Sequence, residues 1–78
     1  MVRASQHPNQ IDVLMRQAIA LHQRGQIGDA ESLCRQVLAV EPDHPDALYL
    51  LGLAAFQGGN LSQAVGLIRR AASLRPRN

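Results

Sequence analysis

An all-α fold, two antiparallel helix-turn-helix hairpins stacked as a four-helix fragment of an α-solenoid, follows from three features of the sequence. First, the chain matches itself at a shift of 34 residues: Asp12 falls on Asp46, Leu14 on Leu48, Ala20 on Ala54, Gln23 on Gln57 and Gly25 on Gly59. Further on, Ala30 falls on Ala64, Leu33 on Leu67, Arg35 on Arg69 and Pro42 on Pro76. Second, the matched residues are small residues, leucines and helix-breaking Gly and Pro, the signature of stacked helical hairpins at this period. Third, apolar residues recur between the breakers at helical spacing, so that no strand is needed anywhere.

The elements follow in order. Residues 1–10 read as a tail, because Met1 to Pro8 is polar and aperiodic. Asn9 is the predicted cap of the first helix, its side-chain oxygen accepting from free amides of the first turn. Ile11, Leu14, Ala18 and Leu21 form that helix's apolar stripe, and the helix ends near Gly25. The second helix runs from about Gly28 to Val40 with Ala30, Leu33, Cys34, Val37 and Leu38 inward. Pro42 stops it, since proline cannot continue the hydrogen-bond ladder and restricts Glu41 before it. The third opens at Pro45, suited to a first helical position, and closes at Gly58-Gly59. Asp43 and Asp46 bracket its start, where capping and the helix macrodipole account for them. Its inner stripe is Leu48, Leu51, Gly52 and Ala55. Ser62 is the predicted cap of the fourth helix, with Ala64, Leu67, Ile68 and Ala71 inward and Pro76 at its end. The repeats are thus 11–44 and 45–78. Short links make neighbouring helices antiparallel.

Small residues sit where helices must cross. Ala18 and Gly52 lie midway along the first helix of each pair, and Ala30 and Ala64 near the start of the second. Small side chains at facing positions let two helix axes approach. A helix-interior glycine costs about 1 kcal/mol relative to alanine, so Gly52 points to a packing requirement.

At 78 residues and 8.5 kDa the chain has room for one small domain with a modest core. With no Trp, one Tyr and one Phe, that core is built from Leu, Ile, Val and Ala. All eight basic residues are arginine, which with abundant Ala, Leu and Gly suggests a GC-rich bacterial genome. Every acid lies at or before Asp46, whereas Arg69, Arg70, Arg75 and Arg77 leave the end of the chain basic. A nucleic-acid surface needs a dense basic face with aromatic or motif support, and Arg35 and Arg69 occupy equivalent repeat positions instead, as on a solvated face. Cys34 lies in an apolar pattern and reads as a small buried hydrophobe; a single cysteine excludes an intrachain disulfide. With no apolar leader segment and no run long enough for a membrane span, a cytoplasmic location without membrane contact is expected.

The pattern resembles the tetratricopeptide repeat. The second repeat reads Leu48, Leu51-Gly52, Ala55, Ala64, Ile68, Ala71, Pro76, and the first Leu14, Gln17-Ala18, Leu21, Ala30, Cys34, Val37, Pro42. Gln17 stands where that family usually has Leu, Val37 where it has Ala, and Ala55 where it has a large residue. The stretches 33–38 and 44–53 also resemble repeats that precede bacterial glycosyltransferases of the O-linked N-acetylglucosamine type. They are similar as well to repeats of many bacterial scaffolds. A targeting or substrate-presenting arm of such a transferase is therefore the alternative to a free-standing interaction module.

Each first helix carries a second apolar stripe: Met15, Ile19 and His22, then Tyr49, Leu53 and Phe56 at the same shift. The resemblance implies that the first helices line a peptide-binding groove. By position this groove comprises Asp12, Met15, Arg16, Ile19, Gln23, Asp46, Tyr49, Leu50, Leu53 and Gln57, bordered by Phe56 and His22. The stripe could equally pack on a neighbouring repeat or a second chain, since exposed apolar patches mark interfaces of either kind. The family's carboxylate clamp of Lys, Arg and Asn is disfavoured, because Met15, Ile19 and Leu50 hold its positions. An apolar or helical peptide fits better. His7, His22 and His44 lack zinc-ligand spacing, Ser62 has no His and acid around it, and Gly58-Gly59-Asn60 lacks the lysine of a phosphate loop. No catalysis, cofactor or metal is expected. Because stacked repeats bury their faces on neighbours, two repeats alone should leave parts of Leu50, Leu53, Phe56, Val65, Ile68 and Ala72 uncovered, to be relieved either by continuation of the chain in a longer parent protein or by association of two copies, most simply as a symmetric homodimer.

Overall fold

Four helices fill residues 6–74, the part of the chain that the computed structural model describes: α1 (Gln6–Gln23), α2 (Ile27–Val40), α3 (Pro45–Gln57) and α4 (Leu61–Leu74). Both hairpin turns are built the same way, by a glycine in the left-handed region that other residues reach only with strain, Gly25 at φ 85° and Gly59 at φ 87°. Gln26 N–H reaches back to the Leu21 carbonyl and Gly25 N–H to that of His22. In the second hairpin Asn60 N–H bonds the Ala55 carbonyl and Gly59 N–H that of Phe56. These paired bonds satisfy carbonyls left over at the helix ends and reverse the chain within three residues. The turn residue's own carbonyl then starts the next helix, Gln26 accepting from Ala30 N–H and Asn60 from Ala64 N–H.

Three local expectations are corrected. Helix α1 opens at Gln6, inside the segment read as a tail, so Asn9 lies in its first turn and not at its cap. Pro8 is no obstacle there, because the first four N–H groups of a helix have no partner within it. Helix α4 begins at Leu61, so Ser62 is inside it and the boundary residue is Asn60. At α3 the cap is neither acid: His44 Nδ1 accepts from Ala47 N–H at 3.1 Å. Asp43 instead accepts from Arg70 Nη2 at 2.7 Å, tying the α2–α3 loop to α4. Both partners are exposed, so this pair is worth a few tenths of a kcal/mol up to about 1. The expected end at Pro76 falls outside the described residues.

Helix α1 packs on α2, α2 on α3 and α3 on α4, while α1 meets α3 along one edge. The main core lies at the junction of the repeats: Ile11, Met15 and Ala18 of α1, Cys34 and Val37 of α2, and Ala47, Leu50 and Leu51 of α3 are buried together. Leu14, Leu33, Leu38, Leu53 and Leu67 close its edges. Cys34 is fully enclosed, and burial pushes its thiol up to about 11, with Glu31 raising it further and Arg35 opposing. It is a protonated apolar side chain at neutral pH, as expected from its place in the pattern. In the second hairpin Leu48, Gly52 and Ala55 of α3 face Ala64 and Ala71 of α4, all buried.

Two helix glycines, Gly28 at the start of α2 and Gly66, make no packing contact. Gly66 stands exposed in the middle of α4, and a methyl group added there would meet nothing within 4 Å. Gly66→Ala should therefore stabilise the chain by about 0.5–1 kcal/mol through helix propensity and a less flexible unfolded state. Thermal unfolding would show it as a rise of about 4 °C. A fall in melting temperature would mean that the glycine meets a constraint the free helix does not show.

Candidate interaction surface

The edge-on meeting of α1 and α3 leaves a groove of about 390 Å³ between them. Met15 and Leu50 form its floor; both belong to the core, at 6% and 7% exposure, because α1 and α3 touch at their level. Leu50 thus leaves no exposed part, contrary to expectation. Ile19 and Tyr49, at 42% and 49% exposure, form the two walls. Leu53 is half-buried against the core, and Asp46, His22 and Gln23 complete the lining. At the rim the Gln57 amide donates to His22 Nε2 at 3.4 Å, a link across the groove's end that joins repeat one to repeat two.

The structure therefore brings Met15, Ile19, Gln23, Asp46, Tyr49, Leu50 and Leu53 together. Asp12 and Arg16 are exposed on α1 outside the lining, and Gln57 touches it only through His22. Phe56, at 59% exposure, turns to a different hollow, shared with Leu61 and Val65 of α4. Tyr49 and Asp46 stand on the ridge between the α1/α3 groove and a further hollow against Ile68, Ala71 and Ala72.

The groove's residues are apolar walls with polar ends, and among the described residues no three His, Cys, Asp or Glu side chains gather where they could hold a metal ion. No described helix is long and apolar enough to cross a membrane.

Paired helices in tight Gly-closed hairpins, stacked through small residues at a 34-residue period, define a helical-repeat protein. Residues 15–78 match the tetratricopeptide repeat family, and the chain belongs to it. A comparison with curated proteins gives no match. Repeats of this family generally mediate protein–protein interaction and are typically non-catalytic.

Proposed function

We propose that the chain is a non-catalytic interaction module whose α1/α3 groove takes an apolar, helical or extended segment of a partner protein. The observation that supports this reading is the pairing of Ile19 and Tyr49, two large side chains kept half in water on opposite walls above a buried apolar floor. Exposed apolar side chains that face each other across a groove offer a partner the area it must desolvate. The absence of a cation from the floor positions, Met15 and Leu50, argues against a ligand held by its terminal carboxylate.

The test must separate binding from folding. Leu53 packs on the core, so its substitution would do both; Ile19→Asp and Tyr49→Ala act on exposed atoms. Selection from a displayed peptide library with the wild-type chain should return segments with apolar residues at helical or alternate spacing. Each variant should weaken capture of the selected peptide by about tenfold or more, equivalent to about 1.4 kcal/mol, with unchanged far-UV circular dichroism. Enrichment of acidic peptides, or capture indifferent to both variants, would sink the groove reading.

A further inference from the structure

One carboxylate and one aromatic ring serve two hollows. Asp46 and Tyr49, three residues apart on α3, share one face of that helix. On one side they line the α1/α3 groove, and on the other a hollow of about 400 Å³ against Ile68, Ala71 and Ala72 of α4. Both stand exposed on the ridge between the two. The rest of the α4 hollow is apolar, and the rest of the groove is apolar apart from His22 and Gln23. Among the described residues, Asp46 is therefore the one Asp, Glu, Arg or Lys that lines either space.

The repeat accounts for only half of this pair. An acid in the first turn is shared by both repeats, Asp12 and Asp46, whereas Tyr49 stands where repeat one has Met15. Met15 is buried beneath α3, and Asp12 lies outside the groove lining. Carboxylate, exposed ring and apolar hollows come together in repeat two alone. A carboxylate beside an aromatic face suits a guanidinium or ammonium group: the oxygens accept charge-assisted hydrogen bonds, and the ring attracts the cation through its negative face. A carboxylate has about four lone-pair sites, so a contact made within the chain leaves room for a ligand's donor. Its full charge also outweighs the roughly half positive charge at the N-terminus of α3.

We propose that the segment taken by the α1/α3 groove is basic as well as apolar: it seats a Lys or Arg on the Asp46–Tyr49 ridge, with one apolar anchor in the groove beside Ile19 and a second beyond the ridge at Ala72. This rests on the groove reading above, and adds to it the charge of the partner and a footprint that reaches α4. Charge complementarity selects the occupant. An acidic segment would set like charge against Asp46, and an uncharged one would cover the carboxylate without a counter-charge.

Segments selected from the displayed library should carry Lys or Arg between two apolar positions. For one such peptide, calorimetric titration should show Asp46→Asn weakening binding by about fivefold, the upper range for an exposed ion pair. Replacing the peptide's Lys or Arg by Gln should cost the same, and the two changes together no more than either alone. A merely structural role for Asp46 would weaken both peptides equally and overturn the proposal. Binding to the wild type should weaken as salt rises from about 0.05 M to about 0.5 M, and binding to Asp46→Asn should not. Ala72→Gln, at an exposed position of α4, should fill the second hollow and weaken binding about threefold. Ile19→Ala, which trims a groove wall and adds no charge, reports on the groove separately. Weaker binding in Ile19→Ala with none in Asp46→Asn would overturn this proposal and leave the groove; indifference to Ile19→Ala would overturn both. A chain that self-associates and is returned to 8.5 kDa by Asp46→Asn would give the ridge to a second copy and overturn its assignment to a partner protein.

Discussion

Leu48→Ala is expected to remove about 2–5 kcal/mol of stability, the range for truncating a fully buried leucine. Leu48 retains only 2% of its exposure and is the largest side chain closed off inside the protein. It lies on the α3 stripe with Gly52 and Ala55 that faces α4. Most of its buried neighbours on the two helices are alanines, which cannot move into the space it would leave. A domain of this length has a total stability of about 4–12 kcal/mol at the usual value per residue, so the variant should be partly unfolded at 37 °C. Urea titration followed by circular dichroism should show the midpoint falling by about 2 M or more, for a denaturant dependence near 1 kcal/mol per molar. A fall of less than about 0.5 M would mean that the second hairpin is not held by this contact.

Gly52→Leu is expected to destabilise by about 1–3 kcal/mol through the opposite error, overfilling. A Cβ placed on Gly52 would already lie 2.6 Å from Ile68 Cγ1 and 3.3 Å from Leu67 Cβ. The Ile68 Cγ1 moves only by a χ1 change that a helix disfavours in a β-branched residue, and the Leu67 Cβ only with the α4 backbone. A leucine must therefore push α4 outward, spoiling the Leu48 and Ala64 contacts. Gly52→Ala is the control. Its single methyl displaces Ile68 but gains about 1 kcal/mol of helix propensity, so that its melting temperature should stay close to wild type. Equal melting temperatures for wild type and Gly52→Leu would show that the α3/α4 crossing is looser than the contact distances indicate.

Both effects come from one design. A core poor in aromatics and rich in alanine holds its helices close, and each crossing depends on a small residue at a set position. The surface left by that packing carries the proposed function. Close approach of α1 to α3 draws Met15 and Leu50 into the core and leaves Ile19 and Tyr49 standing as walls. A substitution that widened the crossing would blunt the groove without touching it.

What the sequence by itself determined is what depends on neighbours along the chain. Four helices, the two glycine turns, the prolines between the two repeats and the small residues at the crossings are all encoded within a few residues of where they act. The 34-residue match shows that the code is used twice. The inward stripes follow from helical spacing alone, and Cys34 was legible as a buried apolar side chain for the same reason. Only the tertiary structure decided what depends on which element comes to lie over another. Met15 and Tyr49 are equivalent in the repeat, yet one is core and the other half in water, because α3 covers the first and no described helix covers the second. Arg16 and Leu50 are equivalent too, and the leucine is buried because a repeat precedes α3. The cap of α3 is His44, the residue directly before Pro45, while Asp43 accepts from Arg70, 27 residues away in sequence, a contact that no local pattern records. Periodicity specifies which face of a helix is apolar. Burial is a property of the stack, and it differs at an end from the middle because an end helix lacks one neighbour.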